Sequence, residues 1–366
     1  MALTTVSFPL VPAGSSKNDV TSYYTYWKNK YVKPYNNGVY LWYNDSGDGE
    51  GETVSEAHGY LMLTSVLMGD KDTFDKALQY YLLFRDKFNQ MKWLQRRNGQ
   101  YLFAPDADSA TDGDIDIIYS LFLASKKWND PRYLDAAKTG LDGFKKSILI
   151  KNLNMMNVGD WAGTSAKLTR TSDFDLSHLY TFSVVDTDVS LWKSVLNTTV
   201  NAVYNCFLTN SSSTGLLPDF LVYANNTWSP PAGKVLETKN DGKYSWNACR
   251  TFWRLATYLL VNPKAPDENT DKITKILSKA NEWIKAECKG DPKNIKAGYS
   301  LTGVSLEKYT SLAFVPSFMF CAIAAKDQPW LDKLYKYVLS RNETYYENSI
   351  KMLSLVLVNG LYQVIV

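Results

Sequence analysis

Apolar residues recur at helical spacing along the whole chain, interrupted at Gly, Pro and Asn-Asp clusters. This period predicts helices near residues 17–32, 53–69, 71–90, 113–127, 131–149, 172–184, 188–207, 244–261, 267–288, 306–325, 328–340 and 343–362. Several form pairs joined by short polar turns, MGDKD at 68–72, WNDP at 128–131 and SRNE at 340–343, so the chain reads as repeated helical hairpins. Two connections break that rhythm, residues 91–112 and 208–243, the second with Pro-Pro, Gly and Asn clusters. Long loops in a compact helical protein usually carry function or are disordered, and both of these bear carboxylates. The stretch KWLQRRNGQYLFA at 92–104 suits short strands beside a cleft. No internal repeat or low-complexity tract is visible, and 366 residues lie within the range of a single large helical barrel, so one domain over 1–366 is expected.

Composition narrows the partners. Forty basic and 37 acidic residues give a net charge of +3 without any polybasic block, which excludes the electrostatic footprint of a nucleic-acid binder. No apolar run is long enough to span a bilayer, and no membrane partner is expected. The start MALTTVSFPLVPAG lacks a basic segment followed by an apolar stretch, so either the protein is cytosolic or a secretory leader is absent from this sequence. The 25 Tyr, 15 Phe and 11 Trp exceed what a core of this size requires. Aromatic rings offer flat faces to the C–H faces of sugars, although an aromatic core explains the composition equally well.

Four scattered cysteines, Cys206, Cys249, Cys288 and Cys321, show no paired spacing and read as buried thiols. With only His58 and His178, a His-rich metal centre and a Ser-His-Asp arrangement lack material, so no metal or cofactor is expected. Acid–base chemistry must fall to carboxylates. Three segments supply them. In Thr53-Val54-Ser55-Glu56-Ala57-His58-Gly59-Tyr60, Thr53 and Glu56 have the spacing of a capping box, and taken alone that reading is the stronger. In Asp108-Ser109-Ala110-Thr111-Asp112-Gly113-Asp114-Ile115-Asp116, an EF-hand loop fails because Ile117 stands where Gly is required and Leu123 where the closing Glu is required. The helix dipole accounts for one or two of these carboxylates, hardly all four. The third segment places Glu237 and Asp241 before Tyr244-Ser245-Trp246-Asn247-Ala248-Cys249-Arg250 and Trp253-Arg254, an aromatic and basic helix.

Together the three segments resemble glycoside hydrolase family 8, the family of endoglucanases, lichenases, chitosanases and xylanases. The resemblance is most specific in Ala110-Thr111-Asp112-Gly113-Asp114, with Ala124 and Trp128 following, and in Ser55-Glu56-x-His58-Gly59-Tyr60. Gly159-Asp160-Trp161-Ala162, Arg170-Thr171-Ser172-Asp173-Phe174 and Asn247-Ala248-Cys249-Arg250 extend it from about residue 20 to the C-terminal helices. It implies an all-α fold, an (α/α)6 barrel of six helical hairpins with long loops forming a substrate cleft, in agreement with the twelve helices counted from periodicity. It further implies an endo-acting, inverting hydrolase of β-1,4 linkages in cellulose-type or mixed-linkage β-glucan, secreted and monomeric, with a polysaccharide as partner.

By the same resemblance Glu56 is the general acid, and Asp112 holds the sugar next to the cleaved bond. The best-known members carry an aspartate base at the position of Asn247, and an amide cannot accept a proton from water. Either the base is missing and the chain is an inactive carbohydrate-binding relative, or it resembles the subgroup in which a glutamate of the preceding loop is the base. Glu237, before Asp241–Arg250, fits the second arrangement, with Asp241 as the alternative base. Tyr60, Trp161, Trp246 and Trp253 are candidates for sugar stacking, and Arg170, Asn247 and Arg250 for substrate binding or for orienting the carboxylates. Leu61 departs from the Gly usual in the family and is expected to narrow the cleft; Phe252 stands where Pro is common. Chitosan is the alternative substrate, disfavoured by the +3 charge because a polycation calls for an acidic cleft.

Overall fold

The structure, a computed structural model, describes residues 1–45, 47, 51–261 and 267–366. Its helices fall into two kinds. One kind is buried all round: every residue of α2 (Ser55–Met68) is buried except Glu56 and Met68, and every residue of α13 (Tyr345–Val358) except Tyr346. α4 (Thr111–Trp128), α6 (Leu176–Val185), α8 (Thr251–Ala256) and α11 (Pro316–Ala324) share that character. The other kind buries a single stripe, as α5 (Pro131–Ser147) does with Tyr133, Ala137, Gly140, Leu141 and Phe144 at 3.6-residue spacing. α1 (Lys17–Tyr31), α3 (Lys71–Leu83), α7 (Val189–Asn210), α10 (Glu268–Glu287) and α12 (Gln328–Leu339) are of this second kind.

A helix apolar on every side must be surrounded, and contacts between elements show how. α2 packs on α4, α4 on α6, α6 on α8, α8 on α11, α11 on α13, and α13 back on α2, a closed inner ring of six. The striped helices lie outside: α3 on α2, α5 on α4, α7 on α6, α10 on α8 and α11, α12 on α11, and α1 on α13. The first outer helix thus closes the circle against the last inner one, and strand Leu3–Val6 pairs antiparallel with Tyr362–Ile365 beside it. This is the (α/α)6 barrel expected. The short helix α9 (Tyr258–Val261) continues α8.

Several expected helices are shorter than their apolar pattern, among them these three. The one at 71–90 stops at Leu83, because the Asp86 carboxylate takes the N–H groups of Phe88 and Gln90 and Asn89 adopts φ 60°, a turn that no helix accommodates. The one at 306–325 begins only at Pro316, after a 3-10 turn at Leu312–Phe314, and that at 244–261 begins after a 3-10 turn at Ala248–Arg250. Residues 92–104 do form strands, Leu94–Asn98 and Tyr101–Phe103, with Thr53–Val54 paired to the first. A second three-stranded sheet, Leu168–Arg170 with Phe220–Ala224 and Thr227–Ser229, was not visible in the apolar pattern. Leu61 is fully buried inside the barrel, so it fills core and does not narrow a cleft. Phe252 is likewise core, stacked on Tyr244.

Candidate active site

Glu56 is the second residue of α2, Asp112 the second of α4 and Tyr345 the first of α13, while Ser172 precedes α6 and Arg250 directly precedes α8. Their side chains meet, so the N-termini of the inner helices share one end of the barrel. Arg250 is the hub. Its Nη1 donates to Glu56 Oε2 (2.7 Å), Asp112 Oδ2 (2.9 Å) and the Tyr60 hydroxyl (3.2 Å); its Nη2 donates to Ser172 Oγ (3.1 Å) and Asn247 Oδ1 (3.2 Å). Tyr345 donates its hydroxyl to the other oxygen of Glu56 (3.1 Å).

Glu56 is therefore no helix cap. Thr53 lies in a strand and donates its hydroxyl to the Leu41 carbonyl, and α2 begins at Ser55 without any side-chain cap. Burial raises the Glu56 carboxyl above its ordinary range, with Arg250 opposing and the charge of Asp112 adding to the rise. For Asp112 the balance is reversed: burial would raise it, but Arg250 and Arg170 hold it at about 2. Two neighbouring carboxyls are thus pushed apart, one toward the acid form and one firmly ionised.

Glu237 sits on the loop after the second sheet, its side chain 40% exposed, accepting from Arg170 Nη2 (2.9 Å) and Asn247 Nδ2 (2.7 Å). The loop is held by Asp241, whose carboxylate accepts the N–H groups of Val235, Leu236, Glu237 and Thr238 at 2.7–3.0 Å. Asp241 is fully buried in that role, which removes it as an alternative base. Asp219 does the same service for the next turn, accepting from the N–H groups of Ser245, Asn247 and Ala248. Arg170 also faces Asp112 at 3.9 Å and Asp173 at 4.0 Å.

Of the rings expected to stack on sugar, Trp161 is 47% exposed and Trp246 38%, whereas Trp253 (4%) and Tyr60 (0%) are buried and meet each other edge to face at 6.3 Å. Trp253 is core, and Tyr60 offers its hydroxyl to Arg250 instead of its ring to a ligand. Trp161 rides on a 3-10 turn tied down by Asp160, which accepts the Ser109 N–H (2.7 Å). His58 is also structural, bonded through Nε2 to the Ala77 carbonyl, and burial lowers it to about 4. Two further carboxylates of the second segment have structural roles: Asp114 accepts the Met91 N–H and Asp116 takes both Arg254 nitrogens and His178 Nε2.

Among the described residues, one group of carboxylates and histidine is close enough to hold a metal, Asp116, Asp175 and His178, and Arg254 already fills it with positive charge. Sequence reasoning missed Tyr345, Ser172 and Asp173. Asp173 is fully buried, neither of its oxygens has a hydrogen-bond partner among the described residues, and burial pushes it up to about 7. For Ser172 and Asp173 the available signal was the Arg170–Phe174 segment that extends the resemblance, and for Tyr345 only its position at the start of an inner helix.

The model of Glycosyl hydrolases family 8 matches residues 7–360. A beta-glucanase of Niallia circulans is 38% identical over 347 residues, 91% of this chain and 82% of that protein. An endoglucanase of a Bacillus species is 31% identical over 94% of this chain and 76% of its own length. The apo structure of a beta-1,3-1,4-glucanase from Paenibacillus sp. X4 superposes with a TM-score of 0.88 at 34% identity, covering 99% of this chain and 97% of that one. A cold-adapted family 8 xylanase, at 16% identity and a TM-score of 0.80 over 94% and 92% of the two chains, shares the fold. The inner-ring carboxylates and the match over nearly the whole chain lead to one conclusion: this protein belongs to the glycosyl hydrolases of family 8.

Proposed function

We propose that the chain is one catalytic domain that cleaves β-1,4 linkages inside a neutral β-glucan with inversion, using Glu56 as acid and Glu237 as base. The observation that carries this reading is the Arg250–Asn247 bridge. It joins Glu56 to Glu237 while keeping them apart by the width of a guanidinium and an amide. Inversion needs such a gap, roughly 6.5–9.5 Å between carboxyls, because a water must fit between base and sugar.

In this scheme Glu56, its carboxyl shifted toward the acid form by burial, gives its proton to the glycosidic oxygen as the bond to the anomeric carbon breaks. A water on the opposite face attacks that carbon and gives its proton to Glu237, whose exposure leaves it open to solvent. Asp112, ionised at about 2, favours the positive charge that develops on the ring and accepts from its hydroxyls. Trp161 and Trp246 supply exposed rings along the path of the chain. The similarity to a beta-glucanase and to a beta-1,3-1,4-glucanase supports glucan over chitosan. No described helix is long and apolar enough to cross a membrane. A substrate too large to enter a cell fits a secreted enzyme, acting here as a monomer.

Sugar release from mixed-linkage glucan, carboxymethylcellulose and chitosan, with the parent and Glu237→Gln side by side, tests the assignment. The parent is expected to hydrolyse the glucans, and the variant to lose about 10²–10⁴ in kcat with little change in KM. Full activity in the variant removes Glu237 as base, and release from chitosan alone overturns the glucan reading.

A further inference from the structure

Outside the carboxylate network a pocket of about 300 Å³ opens between the outer face of α7, the loop at 151–154 and the hairpin of strands Phe220–Ala224 and Thr227–Ser229. Asn152, Asn154, Asn201, Asn205 and Asn226 converge on it, and no lining residue is charged, although 21% of the chain is. The side chains of Asn152, Asn154, Asn205 and Asn226 have no hydrogen-bond partner among the described residues. Asn201 is used at the rim, accepting from Lys272 (2.7 Å), which Glu268 in turn neutralises. Asn154 and Asn226 sit in tight turns at φ 48° and 60°, which set both side chains on the pocket wall. Tyr223, tilted against Trp228 at 5.2 Å, adds a half-buried ring.

This chemistry selects a ligand. A charged ligand would find no countercharge among the lining residues, and an apolar one would leave the amides dry and unpaired. An amide both donates and accepts, as a sugar hydroxyl does, and the ring suits a sugar's C–H face. The strand that walls the pocket also reaches the site: Phe220 pairs with Arg170, and Tyr223 stands three residues further, roughly 10 Å along the strand and on the opposite face of the sheet.

We propose that this pocket is a second binding site for neutral polysaccharide, on the other face of the sheet from the carboxylates, gripping a short stretch of polymer outside the cleft. It rests on the glucan reading above. The test compares the parent with N205D/N226D, two exposed positions where the change keeps side-chain size but removes the donors and adds charge, and with Tyr223→Ala. Kinetics are measured on mixed-linkage glucan and on a short soluble gluco-oligosaccharide that fills the cleft alone. The expected result is a rise of about fivefold in KM for the polymer, the loss of one or two hydrogen bonds, with oligosaccharide kcat/KM unchanged. Unchanged polymer KM overturns the proposal, as does a parallel loss on both substrates, which would place the effect in the cleft. A parent that hydrolyses glucan keeps the functional reading intact in either case; a parent inactive on glucan removes that reading itself.

Discussion

Asn247 donates from one end of its amide to Glu237 and accepts at the other from Arg250. An ionised carboxylate, which only accepts, cannot do both. An aspartate there would set a second carboxylate oxygen against Glu237 Oε2, where the present contact is 2.7 Å, and the pair would have to share a proton. In the proposed scheme Asn247 is the complement of the Glu237 base and not the scar of a lost aspartate. Asn247→Asp is accordingly expected to lower kcat at neutral pH by at least about tenfold, with partial recovery at neither acid nor alkaline extreme. Steady-state rates across pH check this, and a variant as active as the parent contradicts it. Glu56 carries a second consequence. Its carboxyl in the folded protein lies above the 4.5 of an unperturbed glutamate, so its contribution to stability is complete below 4.5 and is lost as pH rises through the folded value. Glu56→Gln removes that loss: thermal melts should show the variant more stable than the parent by a margin that grows from pH 4 to pH 8, while kcat falls about 10²–10⁴-fold. A margin that is flat with pH contradicts the raised carboxyl.

At the scale of elements, the two helix rings differ at their starts. Five of the six outer helices are capped by side chains, Ser16 on α1, Asp70 on α3, Asp130 on α5, Asp267 on α10 and Asp327 on α12, while α7 starts after Asp188 without such a bond. The inner helices α2, α4, α6, α8, α11 and α13 have no side-chain cap bond, so their positive ends face the carboxylates of the site. This explains what was legible in the sequence. Asp-Lys, Asp-Pro and Asp-Gln signals mark the outer starts to within a residue or so, whereas inner starts are blurred by 3-10 turns and by site residues that resemble caps, as Glu56 does. The α2–α4 contact that joins Glu56 to Asp112 depends on Gly113: a Cβ there would lie 2.4 Å from the Ser55 carbonyl carbon, against rigid backbone. Gly113→Ala should cost about 1–3 kcal/mol of stability by denaturant titration and reduce activity sharply, because Arg250 could no longer reach both carboxylates. Gly233→Ala, with open space around its added methyl, is the control expected to change neither.

At the scale of the molecule, the barrel converts distance in sequence into proximity. Glu56, Asp112, Glu237, Arg250 and Tyr345 come from five parts of the chain, and parallel inner helices bring their starts to one end. Periodicity could disclose six hairpins, and chemistry could disclose which carboxylates were surplus to capping. Neither could disclose that Trp253 points into the core, that Asp241 is consumed by four backbone donors, or that Tyr345 completes the Glu56 environment: Trp253 and Tyr345 meet partners far away in the chain, Tyr60 and Glu56, and Asp241 depends on the path the backbone takes through the loop before it. The central claim is that Glu56 and Glu237 act from opposite faces of the sugar with a water between them. The most direct test is the anomeric configuration of the new reducing end, read by proton NMR in the first moments of mixed-linkage glucan hydrolysis, before mutarotation. The account predicts the α-anomer first; the β-anomer appearing first would mean retention and contradict it.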